Sequence, residues 1–155
     1  ALSFVSSSQT GLDALVSIEN VIGGSGNDAI TGNNVANRLD GQGGNDTIYA
    51  GSGNDIIIGG TGNDTMNGGL GNDTFIFVPG FGNDRILGFD ANPSGGQDLL
   101  NISAFGITSA TFAARVTIAD VGADTLVTID GNAAQTIRLV GIGDATTVTQ
   151  GDFLL

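Results

Sequence analysis

Aspartate recurs at a fixed interval along the first half of this chain of 155 residues. Between residues 23 and 87, hexapeptides of the form Gly-Gly-x-Gly-Asn-Asp follow one another in steps of nine residues, with a degenerate copy ending in Asn37 and a two-residue slip before the last copy. The acidic positions of this series are Asp28, Asp46, Asp55, Asp64, Asp73 and Asp84. Carboxylates repeated among glycine-rich turns predict a stack of cation sites, because a hard cation takes both carboxylate and carbonyl oxygens.

One apolar residue lies two positions after each acidic position and keeps the same phase. These residues are Ile30, Leu39, Ile48, Ile57, Met66, Phe75 and Ile86. Since strand side chains alternate between faces, a strand of three residues turns only one side chain inward. Six turn residues and three strand residues make one nonapeptide, and two nonapeptides close one flattened coil. The pattern therefore predicts an all-β solenoid whose coils stack as parallel strands about 4.8 Å apart.

Splitting the series by eighteen residues divides the acids between two edges of the solenoid. The first edge carries Asp28, Asp46, Asp64 and Asp84, and the second edge carries Asn37, Asp55 and Asp73. Neighbouring carboxylates about 5 Å apart repel by up to ~3 kcal/mol at an effective dielectric near 20, and a divalent cation between them reverses that term. Calcium suits six or more oxygen ligands in irregular geometry; magnesium is the weaker candidate because it demands a tight octahedron. Zinc is disfavoured because the chain has neither His nor Cys.

Composition excludes several function classes. The net charge is -12, lysine is absent, and the four cations are Arg38, Arg85, Arg115 and Arg138. This balance argues against nucleic acid and against anionic membranes, both of which recruit basic residues. No apolar run is long enough for a membrane span, and the N-terminal residues do not read as a signal peptide, so we expect a module from within a larger protein. Without His, Cys or Lys, we expect no catalysis by this segment, although the parent protein can be an enzyme.

The chain divides into three segments. Residues 1–22 have strand-like spacing and lead into the repeats, and residues 23–87 hold the repeats. Residues 88–155 lose the nine-residue period and have the alternating pattern of β-strands. In the last segment, residues 114–119 and 125–129 flank a turn and predict a hairpin, followed by a strand at Thr136–Val140. Asp152–Leu155 predicts a closing strand, and Thr111–Ala114 a short helical turn. We expect this flank to form an antiparallel β cap over the open end of the solenoid.

The series Gly-Gly-x-Gly-x-Asp-x-apolar-x resembles the repeats-in-toxin (RTX) haemolysin-type calcium-binding family, with full matches in the copies that begin at Gly23, Gly59 and Gly68. The resemblance implies a right-handed parallel β-roll with calcium bound between turns two repeats apart. It also implies a ligand rule. The earlier turn gives its second and fourth carbonyls and its Asp, and the later turn gives its first and third carbonyls and its Asp.

This rule gives three sites that follow the motif. The first takes Gly24, Gly26, Asp28, Gly41, Gly43 and Asp46. The second takes Gln42, Gly44, Asp46, Gly59, Thr61 and Asp64. The third, on the second edge, takes Gly51, Gly53, Asp55, Gly68, Leu70 and Asp73.

Two further sites are conditional. The pair Asp64 and Asp84, spaced by twenty residues, would take Gly60, Gly62, Asp64, Pro79, Phe81 and Asp84. The added two residues preserve strand alternation, so a longer last strand can still deliver Asp84 to the first edge. The pair Asn37 and Asp55 lacks one charge, and Val35 replaces a motif glycine there. Asp90 and Asp98 either complete an end site or are turn residues without a ligand role.

The resemblance implies a module at the C-terminal end of a secreted bacterial protein, extracellular or on the cell surface. Calcium would fold the repeats outside the cell after export by the type I secretion machinery, and upstream domains of the parent protein would be covalent partners. Asp152-Phe153-Leu154-Leu155 is similar to the acidic-then-apolar tail of proteins exported in this way. The alternative is a calcium-stiffened structural or adhesive module of a cell-surface protein, although with no Trp and one Tyr an aromatic carbohydrate platform is disfavoured.

Overall fold

The computed structural model describes residues 12–14, 19–92, 96–144 and 147–155, and their regular secondary structure is almost entirely β. The repeat segment and the strands leading into it comprise β1 (Leu12–Ala14), β2 (Asn20–Gly24), β3 (Ala29–Thr31), β4 (Arg38–Gln42), β5 (Thr47–Ser52), β6 (Ile56–Ile58), β7 (Thr65–Leu70), β8 (Thr74–Ile76) and β9 (Asn83–Leu87). The flank comprises β10 (Leu99–Asn101), α1 (Phe112–Arg115), β11 (Val116–Asp120), β12 (Thr125–Ile129), β13 (Thr136–Val140) and β14 (Phe153–Leu154), with short 3₁₀ turns at Ser103–Phe105 and Gln150–Asp152.

Consecutive strands of the repeats alternate between two parallel sheets. One sheet has the order β1-β3-β5-β7-β9-β13-β12-β11, and the other has the order β14-β10-β8-β6-β4-β2. The register pairs Leu39 with Ile57 and Ile48 with Met66, so a residue lies beside the one eighteen positions later. The predicted parallel β-roll with two nonapeptides per coil is therefore confirmed.

The inward apolar residue of each nonapeptide forms the core between the two sheets. All seven predicted positions are buried: Ile30, Leu39, Ile48, Ile57, Met66, Phe75 and Ile86. Because each nonapeptide contributes one of these residues and its strands alternate between the sheets, the core of the roll consists of one column of apolar residues from each sheet.

The two extra residues before the last motif lie in a turn after β8, and β8 itself keeps three residues. Phe77 and Phe81 both turn inward, with their rings in an edge contact at 4.9 Å between centroids. Gly80, with φ of 98°, allows the chain to reverse between them. A turn therefore absorbs the slip where a longer strand was expected, and Asp84 still reaches the first edge.

The flank extends both sheets. β10 pairs in parallel with β8, β14 pairs in parallel with β10, and β13 pairs in parallel with β9. Only β11, β12 and β13 are antiparallel, so the predicted antiparallel cap is confirmed for the hairpin and corrected for β10 and β14.

Two smaller expectations are corrected or limited. The strand expected over 114–119 begins at Val116, because residues Phe112–Arg115 form a helical turn that packs Phe112 on Phe153 with 4.9 Å between ring centroids. Of the segment 1–22, only β1 and residues from 19 onward lie in the described part, and the expected strand residues 15–18 fall outside it. No helix in the described part of the chain is long and apolar enough to cross a membrane.

Candidate metal centre

The first edge holds a ladder of four aspartates, one in each successive coil. The backbone N–H of Asp28 donates to Asp46 Oδ1 at 2.8 Å, that of Asp46 donates to Asp64 Oδ1 at 2.7 Å, and that of Asp64 donates to Asp84 Oδ1 at 2.9 Å. Each carboxylate is therefore fixed by the backbone of the preceding coil. The last step spans twenty residues and has the same geometry as the others.

The second edge holds a similar ladder that runs further than the motif. Asn37 N–H donates to Asp55 Oδ1 at 2.7 Å, and Asp55 N–H donates to Asp73 Oδ1 at 2.9 Å. Asp73 N–H then donates to Asp98 Oδ1 at 3.0 Å, and Asp98 Oδ2 accepts a bond from Asp90 N–H at 3.0 Å. Asp98, for which the sequence left open an end site or a turn without a ligand role, is thus the last rung of this ladder.

The second carboxylate oxygen of five aspartates is buried and accepts no hydrogen bond from any described residue. These oxygens are Oδ2 of Asp46, Asp55, Asp64, Asp73 and Asp84. A buried carboxylate oxygen without a partner is costly, because it has lost its water and gained nothing in return. A bound cation satisfies this requirement, and the donor set is therefore the kind that calcium takes.

Glycine opens the space beside these oxygens. A Cβ at Gly41 would overlap with Asp46 Oδ2 and lie 2.6 Å from the carbonyl oxygen of Gly59 in the next coil. A Cβ at Gly59 would likewise overlap with Asp64 Oδ2. At Gly41 and Gly59 the missing side chain therefore leaves a cradle beside the Asp of the same turn, open at Gly41 toward the carbonyl of the next coil.

The predicted carbonyl ligands lie in the same turns as the aspartates. Neighbouring turns are tied by backbone bonds, such as Gly44 N–H to Thr61 O at 2.9 Å and Gly62 N–H to Phe81 O at 3.2 Å. On the second edge, Gly53 N–H donates to Leu70 O at 2.8 Å. A carbonyl oxygen has a second lone pair, so these bonds leave it able to bind an ion.

In the described part of the chain, no three side chains of His, Cys, Asp or Glu converge on one point. Each candidate site therefore has a pair of Asp side chains, and its other oxygens have to come from the backbone. This composition disfavours transition metals and matches the mixed carboxylate and carbonyl shell of calcium.

Burial raises the pKa of the ladder aspartates, while the N–H donors oppose that rise. The pKa reaches about 7 for Asp46 and about 8 for Asp84, and neighbouring carboxylates, Asp64 for both, add to the burial effect. Asp98 rises to about 6 for the same reasons. Burial likewise raises the pKa of Asp55, Asp64 and Asp73. Without a cation, Asp46 and Asp84 therefore retain protons closer to neutral pH than an exposed aspartate does.

A row of asparagines, none of them among the predicted site residues, runs beside the first ladder. Asn45 N–H donates to Asn27 Oδ1, Asn63 N–H donates to Asn45 Oδ1, and Asn83 N–H donates to Asn63 Oδ1, at 2.7 to 2.9 Å. In the sequence, these residues are the Asn that precedes the Asp of each motif. The Asn side chain bonds one coil to the next, which stabilises the stacking of the turns that hold the ion sites.

Two parallel sheets joined by Gly-rich turns with aspartate ladders define a calcium-binding β-roll. The family profile for the RTX calcium-binding nonapeptide repeat (4 copies) matches residues 18–48 and 40–75. Residues 18–75 of this chain are therefore RTX calcium-binding nonapeptide repeats, whereas Asp84 and Asp98 lie beyond the matched residues.

Two solved structures from Azotobacter vinelandii resemble most of the chain. The AlgE6R3 subunit of the mannuronan C5-epimerase has a TM-score of 0.68 at 29% identity, covering 92% of this chain and 86% of that one. The AlgE6R2 subunit has a TM-score of 0.62 at 28% identity, covering 84% and 88% respectively. No curated protein sequence matches the chain.

Proposed function

We propose that this chain is a non-catalytic module that folds on binding extracellular calcium and serves as the C-terminal folding and secretion scaffold of a larger bacterial protein. The observation that carries this proposal is the set of five buried Oδ2 atoms without a hydrogen-bond donor. Stacking these carboxylates without ions leaves their desolvation and repulsion uncompensated. Calcium binding therefore contributes directly to the folding free energy.

The proposed sites follow the ladders. On the first edge they lie between Asp28 and Asp46, between Asp46 and Asp64, and between Asp64 and Asp84. On the second edge one lies between Asp55 and Asp73, with carbonyls of the same turns completing each shell. The hydrogen bond from Asp73 to Asp98 repeats the geometry of every other rung, which supports an end site that uses Asp73 Oδ2 and Asp98. The pair Asn37 and Asp55 is the weakest candidate, since Asn37 brings no charge.

Circular dichroism during a calcium titration tests the coupled folding. The strand signal should be absent in excess chelator and should develop cooperatively between roughly 10⁻⁴ and 10⁻³ M calcium, the range of extracellular modules. Magnesium at the same concentrations is the control and should restore much less of the signal. A full strand signal in chelator that calcium does not change would refute the coupling.

The secretion role requires a separate test, because a chain can fold on calcium without serving export. Fusing this chain to the C-terminus of an unfolded reporter, in a host with a type I exporter, should place the reporter in the medium. Retention of the reporter at every calcium concentration would contradict the secretion role and leave calcium binding unaffected. The strand β14 pairs Leu154 with Asn101, so a variant without residues 152–155 separates a tail signal from a structural closing strand by comparing export with the calcium midpoint.

A second candidate function is the attachment of the parent protein to an acidic polysaccharide. Arg85 on β9 lies directly beside Arg138 on β13 in the parallel register. The two line a groove of about 450 Å³ with Asn83, Asp84, Thr128 and Thr136. Arg138 bonds Asp124 at 3.1 Å, and Arg85, which forms no salt bridge among the described residues, also helps to lower the pKa of Asp124 by its charge. Adjacent like charges in a sheet are unfavourable, so this face favours an anion once calcium neutralises Asp84, despite the net charge of -12.

The two similar structures belong to an enzyme named for mannuronan, a carboxylated polysaccharide, which supports this candidate. Calorimetry with oligomannuronate on the calcium-loaded protein should show binding that Arg85→Ala with Arg138→Ala abolishes. Arg38→Ala, an exposed arginine on the other sheet, is the matched control and should leave binding unchanged. Equal binding of a neutral oligosaccharide, or no effect of the double variant, would rule out the groove.

A further inference from the structure

The first residue of each turn faces the ion cradle, and along the second edge that residue is not always glycine. Thr31 pairs with Tyr49 and Gly51 pairs with Gly69. The residues in one column are therefore Gly32, Ala50 and Gly68. The Ala50 side chain is completely buried, as inward-facing residues of this column should be.

The neighbours of Ala50 in the column show where its methyl group lies. A Cβ at Gly32 would overlap with Asn37 Oδ1 and with the Ala50 carbonyl oxygen. A Cβ at Gly68 would overlap with Asp73 Oδ2. Each of these Cβ positions lies in the space between the carboxylate or amide oxygen of one turn and the next coil. By the same register, the Ala50 methyl lies beside Asp55 Oδ2, on the side that faces the carbonyl of Gly68.

We propose that the Ala50 methyl makes the site between Asp55 and Asp73 a low-affinity calcium site, so that the glycine-lined sites of the first edge fill before it. Calcium has to approach its oxygens to 2.3–2.6 Å, and a methyl carbon in the same space can neither ligate nor move aside without displacing the turn. The first edge has glycine at this position, as Gly23, Gly41 and Gly59. This inference rests on the proposed calcium function and adds an order of filling to it.

Calorimetry with calcium on wild type and Ala50→Gly tests the proposal. Wild type should show a tighter and a weaker class of sites, and Ala50→Gly should tighten the weaker class by about tenfold, the effect expected from removing one overpacked methyl group. Gly41→Ala, which places the same methyl in the first edge, should weaken the tighter class. Ala119→Gly in β11, exposed and distant from the ladders, controls for the flexibility that any added glycine brings.

The double variant Ala50→Gly with Asp55→Asn locates the effect, because the gain should vanish once the Asp55 carboxylate is removed. If wild type binds calcium and Ala50→Gly binds it no more tightly than Ala119→Gly does, the inference is wrong and the calcium function stands. A gain that survives Asp55→Asn also overturns it, since the methyl then acts elsewhere. If wild type binds no calcium, the proposed function fails, and the inference fails with it.

Discussion

The two edges of the roll are built from one motif, and three of the positions that differ between them bear on calcium binding. The first edge has an aspartate at every rung and a glycine facing each of its first three cradles. The second edge has Asn37 where an acid is expected, Ala50 where a glycine is expected, and a last rung, Asp98, supplied by the flank. Backbone hydrogen bonds between rungs are equally short on both edges, at 2.7 to 3.0 Å. These changes therefore leave the stacking of the coils as it is, but they alter the ligands and the space around each ion.

This comparison separates what shapes the roll from what binds the ion. Turn stacking depends on backbone bonds and on glycines with positive φ, which both edges retain. Ion affinity depends on the number of charged oxygens and on open space, which the second edge partly lacks. Substitutions that block stacking should therefore differ in effect from substitutions that change only the ligands of an ion.

The largest effect should come from blocking the stacking itself. Gly62 on the first edge and Gly71 on the second have φ of 133° and 131°, and a Cβ at either would overlap with a carbonyl oxygen of the preceding coil. Gly62→Ala and Gly71→Ala should each lower the free energy of unfolding of the calcium-loaded protein by at least ~2 kcal/mol, measured by urea denaturation. Gly26→Ala, at the same motif position with nothing within 4 Å, should cost far less. Similar losses for all three variants would contradict the role of close turn stacking.

Acidification should release calcium, and the first edge should be the more sensitive. Asp46 and Asp84 have pKa values of about 7 and 8 in the ion-free fold against 3.8 when unfolded. The ion-free roll therefore loses stability as pH rises from about 4 to 8, whereas calcium affinity rises by up to about tenfold per pH unit for each proton displaced. Calcium titrations between pH 5.5 and 8.5 measure this slope.

Asp84→Asn removes the group with the pKa of about 8 and should flatten the slope above pH 7. Asp98→Asn removes one with a pKa of about 6 on the second edge and should leave that range unchanged. The same slope in wild type and Asp84→Asn would show that calcium does not displace a proton from Asp84.

Replacing an aspartate shared by two proposed sites should weaken calcium binding more than replacing the aspartate at the start of the ladder. Asp46 contributes to the proposed sites on both of its sides, whereas Asp28 contributes to one, and Asp28 Oδ2 already accepts a bond from Gly24 N–H at 2.8 Å. Asp46→Ala should weaken overall calcium binding by about tenfold more than Asp28→Ala, as expected from losing ligands to two ions. Calorimetry gives both values, and equal losses would argue against carboxylates shared between coils.

The sequence was sufficient to predict the roll because one period determined the turn, the inward residue and the acid together. It left the role of Asp98 open between an end site and a turn, because the rung from Asp73 spans twenty-five residues and no glycine motif marks it. It also placed the slip before Asp84 in a strand, since alternation alone does not distinguish a longer strand from a turn built on Phe77 and Phe81. The flank was predicted as a separate antiparallel cap because the parallel pairing of β10 with β8 depends on contacts distant in sequence.

The smallest effect should come from restoring the missing charge on the second edge. Asn37→Asp places a carboxylate where Asn33 N–H now donates to Asn37 Oδ1 at 2.9 Å, next to Asp55. Without calcium the added carboxylate should not help the chain to fold, because repulsion with Asp55 is added without a counterion. In millimolar calcium the variant should bind one more ion per chain and show a modest rise in melting temperature. Calorimetric stoichiometry and melting of the calcium-loaded proteins measure both effects. A lower melting temperature in calcium with no added ion would show that the missing charge at residue 37 is not what limits calcium binding at this end of the second edge.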